Sequence, residues 1–146
     1  IVDKLIEAGK VTKSTYIICN GFKRDLYIDN IARLINSGYH RTIPIIDNYE
    51  ELDLLQEAIK GKFKIAIRIA AEEEPKFEFY TSRLDIGYRN IVPFYKKQIQ
   101  ENKNLELKML HFFINTGIMD TAYYWNELVK CIKVYISLKR ECPTLD

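Results

Sequence analysis

The stretch KMLHFFINTG, residues 108 to 117, sets a histidine in an apolar run that stops in three small residues, Asn115, Thr116 and Gly117. A threonine hydroxyl and backbone amides leading into a helix can hold an anion. Taken by themselves, the three residues read first as a plain strand-to-helix turn, with the anion grip as the alternative. His111 alternates with its neighbours on the same run and reads as a satisfied core histidine before a catalytic one. Arg68 lies inside FKIAIRIA. A guanidinium there must be paired or reach the strand's end, because burying a lone charge is very costly. Structural and site roles for Arg68 stay equally open on this ground. Glu72, Glu73 and Glu74 read as a solvated loop before a metal or basic-substrate site. No GxGxxG, P-loop, GxSxG, HExxH or CxxC pattern occurs, and no metal site is expected.

These residues need elements to carry them. Val2, Leu5 and Ile6 fall at helical spacing, with Gly9 as a stop. Strands are expected at Tyr16 to Asn20, Thr42 to Asp47, Phe63 to Ala70 and Lys108 to Thr116. Pro44 lacks a ladder donor, which counts against a central place for the second strand. Between the strands, Arg24 to Ser37 repeats apolar residues at helical spacing and ends at Gly38. Asn48 and Glu51 form a capping box for a helix that turns Leu52, Leu55 and Ile59 inward and stops at Gly61. Asn90 can cap a helix carrying Val92, Tyr95 and Ile99, with Pro93 in its first turn. Asp120 can cap a last helix reaching about Glu141, with Leu128, Ile132, Tyr135 and Leu138 as core positions. Tyr123, Tyr124, Trp125 and Tyr135 read as packing or interface.

Strands apolar on both faces that alternate with helices imply an α/β fold of four parallel βα units, residues 1–146 forming one domain. Ligands in such folds bind beyond the carboxyl ends of the strands. Those ends are Asn20-Gly21, Asp47-Asn48, the Arg68 region and Asn115-Thr116-Gly117. The long connection from Ala71 to Arg89 reads as functional or flexible.

The bulk composition narrows the classes. With 47% hydrophobic and 29% charged residues, the 146-residue chain has an ordinary globular balance. Lys and Arg number 22 against 20 Asp and Glu, a net charge of +2, which gives no electrostatic case for nucleic acid. No apolar run approaches the roughly 20 residues that span a bilayer. The chain shows no signal-peptide pattern, and a cytoplasmic location is expected. Cys19, Cys131 and Cys142 are odd in number and read as reduced, mostly buried thiols.

Several of these stretches together resemble a known family. YIICNGFKRDLYIDNIARLINSGY followed by TIPIIDNYEELDLL is similar to the middle of the pyridoxal-phosphate-dependent decarboxylases with an alanine-racemase-like barrel, which act on arginine, ornithine or diaminopimelate. The ICNGFK run, then IID, then a helix opening EEL, is most similar to biosynthetic arginine decarboxylases. FKIAIRIA resembles the family's next strand with its arginine. TSRLDIG resembles its Ser-Lys/Arg-Phe/Leu-Gly stretch, and KMLHFFINTG falls where it has a His-Phe-His-x-Gly-Ser strand. The final PTLD resembles the approach to its glycine-rich phosphate loop. The likeness runs through essentially the whole chain, in order.

The resemblance implies that the chain supplies strands three to six of a TIM-type (β/α)8 barrel, about half of it, with their helices. It implies pyridoxal 5'-phosphate as cofactor, a small amino-acid substrate (arginine to agmatine, in polyamine biosynthesis) and a homodimer or higher homo-oligomer. Thr116 stands where the family has a phosphate-contacting serine, and Phe113 where it has the histidine that stacks on the cofactor ring. Phenylalanine can stack but cannot shuttle protons. Arg68 matches the strand-end arginine near the site, and His111 the non-stacking histidine. Asn115 replaces a small glycine, and Asp85 also stands where glycine is usual. The family's Schiff-base lysine would precede Ile1 and its phosphate-loop glycines would follow Asp146. No catalytic residue is therefore assigned within the chain, and the segment alone is expected to be inactive. Four parallel strands cut from a barrel would also leave two unpaired edges, so that the piece is expected to self-associate. The departures at Phe113, Asn115 and Asp85 favour the alternative, a noncatalytic α/β ligand-binding or regulatory domain.

Overall fold

The computed structural model describes residues 1–70, 86–112 and 120–146. Its elements follow in the order α1 (Val2–Glu7), β1 (Ile17–Cys19), α2 (Asp25–Asn36), β2 (Thr42–Ile46), α3 (Tyr49–Ala58), β3 (Phe63–Ala70), β4 (Ile86–Gly87), a 3-10 turn (Tyr88–Asn90), α4 (Ile91–Phe94), a π-helical turn (Tyr95–Ile99), β5 (Leu105–Phe112) and α5 (Thr121–Lys139). Every strand pairing is parallel: β1 beside β2, β2 beside β3, and β3 beside both β4 and β5. The chain is therefore α/β with a parallel sheet, and the short β4 is a strand that the apolar pattern does not announce.

Pro44 lies in a strand with neighbours on both sides, contrary to the expectation from its missing N–H. The pairings explain why. Residues Thr42–Pro44 face β1, while Ile45 and Ile46 face β3, so proline falls at the handover between partners. β5 begins three residues earlier than its apolar run suggests, at Leu105. Its register against β3 shifts between Ile65 and Ala66: Ile65 lies beside Leu107, but Ala66 beside Met109. The carbonyls around that shift take up the chain's last residues. Thr144 Oγ1 donates to Leu107 O at 3.0 Å, and Asp146 N to Lys108 O at 2.9 Å.

The two faces of the sheet differ. Ile46, Ile65, Ile67, Ile69, Leu105 and Leu107 pack against Ile31 and Ile35 of α2, Leu52 and Leu55 of α3, Ile91 of α4, and Val134 and Leu138 of α5. Full burial of each such side chain contributes roughly 1.5–3 kcal/mol. The opposite face holds a small cluster of Ile43, Ile45 and Ala66, with Met109 against it.

Local signals set the helix ends. α2 closes in a Schellman motif, with Gly38 N bonded to Ile35 O at 3.0 Å and Tyr39 N to Leu34 O at 3.1 Å. Gly38 takes φ +93°, and a Cβ there would meet Lys13 Nζ at 3.2 Å, so glycine fits both the turn and the space. Asn90 makes no side-chain cap, and the expected helix instead breaks into a 3-10 turn, one α turn and a π turn closed by Gln100 N to Tyr95 O at 2.9 Å. α5 turns Glu127, Val134 and Leu138 inward, whereas Ile132 is 46% exposed. Asp120 caps α5 through Oδ1, which accepts from Ala122 N at 2.8 Å and Tyr123 N at 3.3 Å. Asp120→Ala is expected to cost about 1 kcal/mol by equilibrium urea unfolding, as loss of a helix N-cap typically does; no measurable change would show that this end of α5 is held by packing alone.

All three cysteines are free. Among the described residues no helix is long and apolar enough to cross a membrane, and no group of three His, Cys, Asp or Glu residues is placed to hold a metal.

Candidate functional site

The carboxyl ends of the parallel strands bring three polar side chains into one row. Ile45 lies beside Ala66, and Arg68 lies beside His111. Side chains alternate faces along a strand, so Arg68 and His111 share the face of Ala66 and Met109. Asp47, one residue past β2 and two past Ile45, joins the row: its Oδ2 stands 3.8 Å from Arg68 NH1. The Arg68 side chain keeps 16% of its surface exposed and that of Asp47 none. Arg68 thus satisfies the demand its strand imposes, being paired and reaching the open end. His111 is half-buried next to it.

A buried ion pair lies behind Asp47. The Lys23 and Glu51 side chains are 0% and 2% exposed, with Nζ and Oε2 at 3.0 Å. Lys23 Nζ also donates to Gly21 O at 2.9 Å and to Ile45 O. The three donors of the ammonium thereby find three acceptors. The Glu51 carboxylate accepts in turn from Lys23 N at 3.0 Å and from Asp47 N at 3.1 Å. Asn48 does cap α3, its side chain accepting from Glu51 N at 3.0 Å. The other half of the expected capping box is redirected: the Glu51 carboxylate serves Asp47 and Lys23 rather than the Asn48 amide. Gly21, at φ +91°, supplies the turn that carries the chain from β1 back to this pair.

Cys19 and Tyr27 flank the same end. Burial pushes the Cys19 thiol up to about 11, against smaller opposing effects of the Lys23 charge and a Tyr27 hydrogen bond. Tyr27, whose hydroxyl donates to Asn20 O at 3.1 Å, is pushed up to about 12, first by burial and then by Cys19, Asp47 and Glu51.

Arg68 is the expected site residue that lies among those described. Thr116, Phe113, Asn115 and Asp85 lie outside the described residues, as do Glu72, Glu73 and Glu74. Asp47, Lys23 and Glu51 are the additions that the fold makes. The faint signal for them is position alone, since Asp47 ends an apolar strand and Lys23 follows the Gly21 turn. A guanidinium at the open end of a strand, steadied by a carboxylate and next to an imidazole, is suited to receiving an anionic group.

No family model matches the chain. Among curated proteins it is similar to biosynthetic arginine decarboxylase 2 of Synechocystis sp., 29% identical over 133 residues that cover 84% of this chain and 20% of that protein. It is also similar to a biosynthetic arginine decarboxylase of Prochlorococcus marinus, 23% identical over 134 residues, 86% of this chain and 20% of that one. The chain therefore spans about a fifth of the length of the curated relatives it matches. At that span and identity, it is similar to a segment of arginine decarboxylases.

Proposed function

We propose that the chain is an internal segment of a pyridoxal-phosphate-dependent amino-acid decarboxylase, with arginine as the substrate, and that its parallel sheet is part of a TIM-type barrel. The observation that carries this reading is Arg68, held by Asp47 at the carboxyl end of β3 beside His111, in a chain similar along most of its length to arginine decarboxylases. A partly exposed guanidinium at that end fits an anionic cofactor, so the described residues agree with the group in charge and place. Bound there, pyridoxal phosphate would supply the electron sink for the charge that develops as carbon dioxide leaves. Arg68 supports the site electrostatically, Thr116 holds the phosphate through its hydroxyl, and Phe113 faces the ring. The proposal extends to a cytoplasmic homodimer or higher homo-oligomer acting on a small amino acid.

The test is Thr116→Val in the intact protein, with cofactor affinity read from absorbance titration with pyridoxal phosphate. Loss of one charge-assisted hydrogen bond, roughly 1.5–3 kcal/mol, corresponds to about a ten- to hundred-fold weaker affinity. If neither protein takes up the cofactor, the noncatalytic α/β module replaces the enzyme. Carbon dioxide release from arginine, ornithine and diaminopimelate then identifies the substrate of a protein that does bind it.

A further inference from the structure

We infer that Lys23 and Glu51 are positioning residues, which fix the carboxyl end of β2 so that the Asp47 carboxylate holds Arg68 in place. The inference rests on the reading of Arg68 as a site residue. Four observations carry it. The pair is enclosed, with side-chain exposures of 0% and 2%, so neither charge is there for solubility. Its bonds go to the backbone at and just before the residue that matters: Lys23 Nζ to Ile45 O, and Glu51 Oε2 from Asp47 N at 3.1 Å. It joins three segments, namely the turn after β1, the end of β2 and the first turn of α3. Asp47 itself is fully enclosed and reaches Arg68 at 3.8 Å.

A buried ion pair is weak evidence for stability, because a packed apolar pair of the same volume does as well or better. Geometric control is the better account of one that bonds the amide of Asp47 and the carbonyl two residues before it. With Ile45 O and Asp47 N both held, the backbone around Ile46 has little freedom, and the Asp47 side chain leaves the strand in one direction. Arg68 then has a stationary partner, as a charged group that must meet a ligand requires.

Arginine modification reads this out without depending on cofactor or turnover. In the intact protein, phenylglyoxal labelling of Arg68 is followed by peptide mass spectrometry. Asp47→Asn should raise the labelling rate several-fold by releasing the guanidinium. Glu51→Gln, which leaves Lys23 without its counter-charge, should raise it to a similar degree. Should Glu51→Gln fail to fold, Glu51→Asp keeps the charge but withdraws the carboxylate by one methylene from Asp47 N, and should act in the same direction. Leu55→Ala, one helical turn beyond Glu51 on the same buried face of α3, lowers stability while leaving the bonds among Lys23, Glu51 and Asp47 in place, and should leave Arg68 labelling at the wild-type rate. The inference is overturned if the folded Glu51 variants label at the wild-type rate, or if Leu55→Ala raises labelling as much as they do. Failure of the cofactor reading shows separately, as absent pyridoxal phosphate binding in the wild type with the labelling pattern intact.

Discussion

Glu51→Ala lowers the free energy of unfolding by about 3–5 kcal/mol, as expected for removing one partner of an enclosed ion pair. The size of the loss comes from what remains. Lys23 Nζ stays buried with two carbonyl acceptors and no counter-charge, while Lys23 N and Asp47 N lose their acceptor together. Each buried amide left without a partner costs about 1–3 kcal/mol, and these costs overlap with the charge penalty rather than adding to it. Most domains have only 5–15 kcal/mol in all, so this single change would bring the fold near its limit. Equilibrium urea unfolding checks it. The double variant Lys23→Met with Glu51→Leu should recover most of the loss, since it buries no charge. A loss under about 1 kcal/mol for Glu51→Ala would show that water reaches the pair. Recovery of stability in the double variant, with Arg68 still loosened, would separate the two roles of the pair.

The scaffold was largely legible because its signals are local. FKIAIRIA is a strand from Phe63 to Ala70 as read, Gly38 ends α2, and Asn48 and Asp120 cap their helices. On α5, Leu138 is buried and Tyr135 packs on the core as read, but Ile132 is not covered, because two patterns compete at one period. α5 carries Glu127, Val134 and Leu138 on one stripe and Trp125, Val129, Ile132 and Ile136 on another. Both recur at helical spacing, and only the sheet decides which is covered. Hydropathy favours the second, which contains no charge, yet the buried stripe includes Glu127, bonded to Lys130 at 2.6 Å. The same limit hid the site's support. Lys23 and Glu51 are 28 residues apart, and each taken alone is an ordinary surface residue of a loop and a helix start. Arg68 was legible because a guanidinium in an apolar strand demands a partner, although nothing in the strand named Asp47. The roles of Thr116 and Phe113 came from resemblance, and both fall outside the described residues.

Raising the pH from 9 to 11 should remove about 2 kcal/mol of stability through Cys19 alone, by linkage between ionisation and folding. In the folded chain burial lifts this thiol from its ordinary 9.0 to about 11, and the residue is 5% exposed. The sign follows from which state ionises first. Above pH 9 the unfolded chain gains a thiolate that the folded chain refuses, so unfolding is favoured increasingly until the folded thiol titrates near 11. The contribution is therefore complete below pH 9 and lost across that window. Urea midpoints at pH 8.5 and 10.5 measure it. Cys19→Ala removes the thiol, and the fall between those two values should shrink by most of that amount, whatever the fixed cost of the smaller side chain. Tyr27 complicates only the upper end: it is pushed to about 12 and acts between its ordinary 10.0 and that value, with Cys19 among the causes. A wild-type curve as flat as that of Cys19→Ala would mean that the thiol ionises as freely folded as unfolded. Lys23, already assigned to Glu51 and two backbone carbonyls, would then also be stabilising a thiolate at the end of β1.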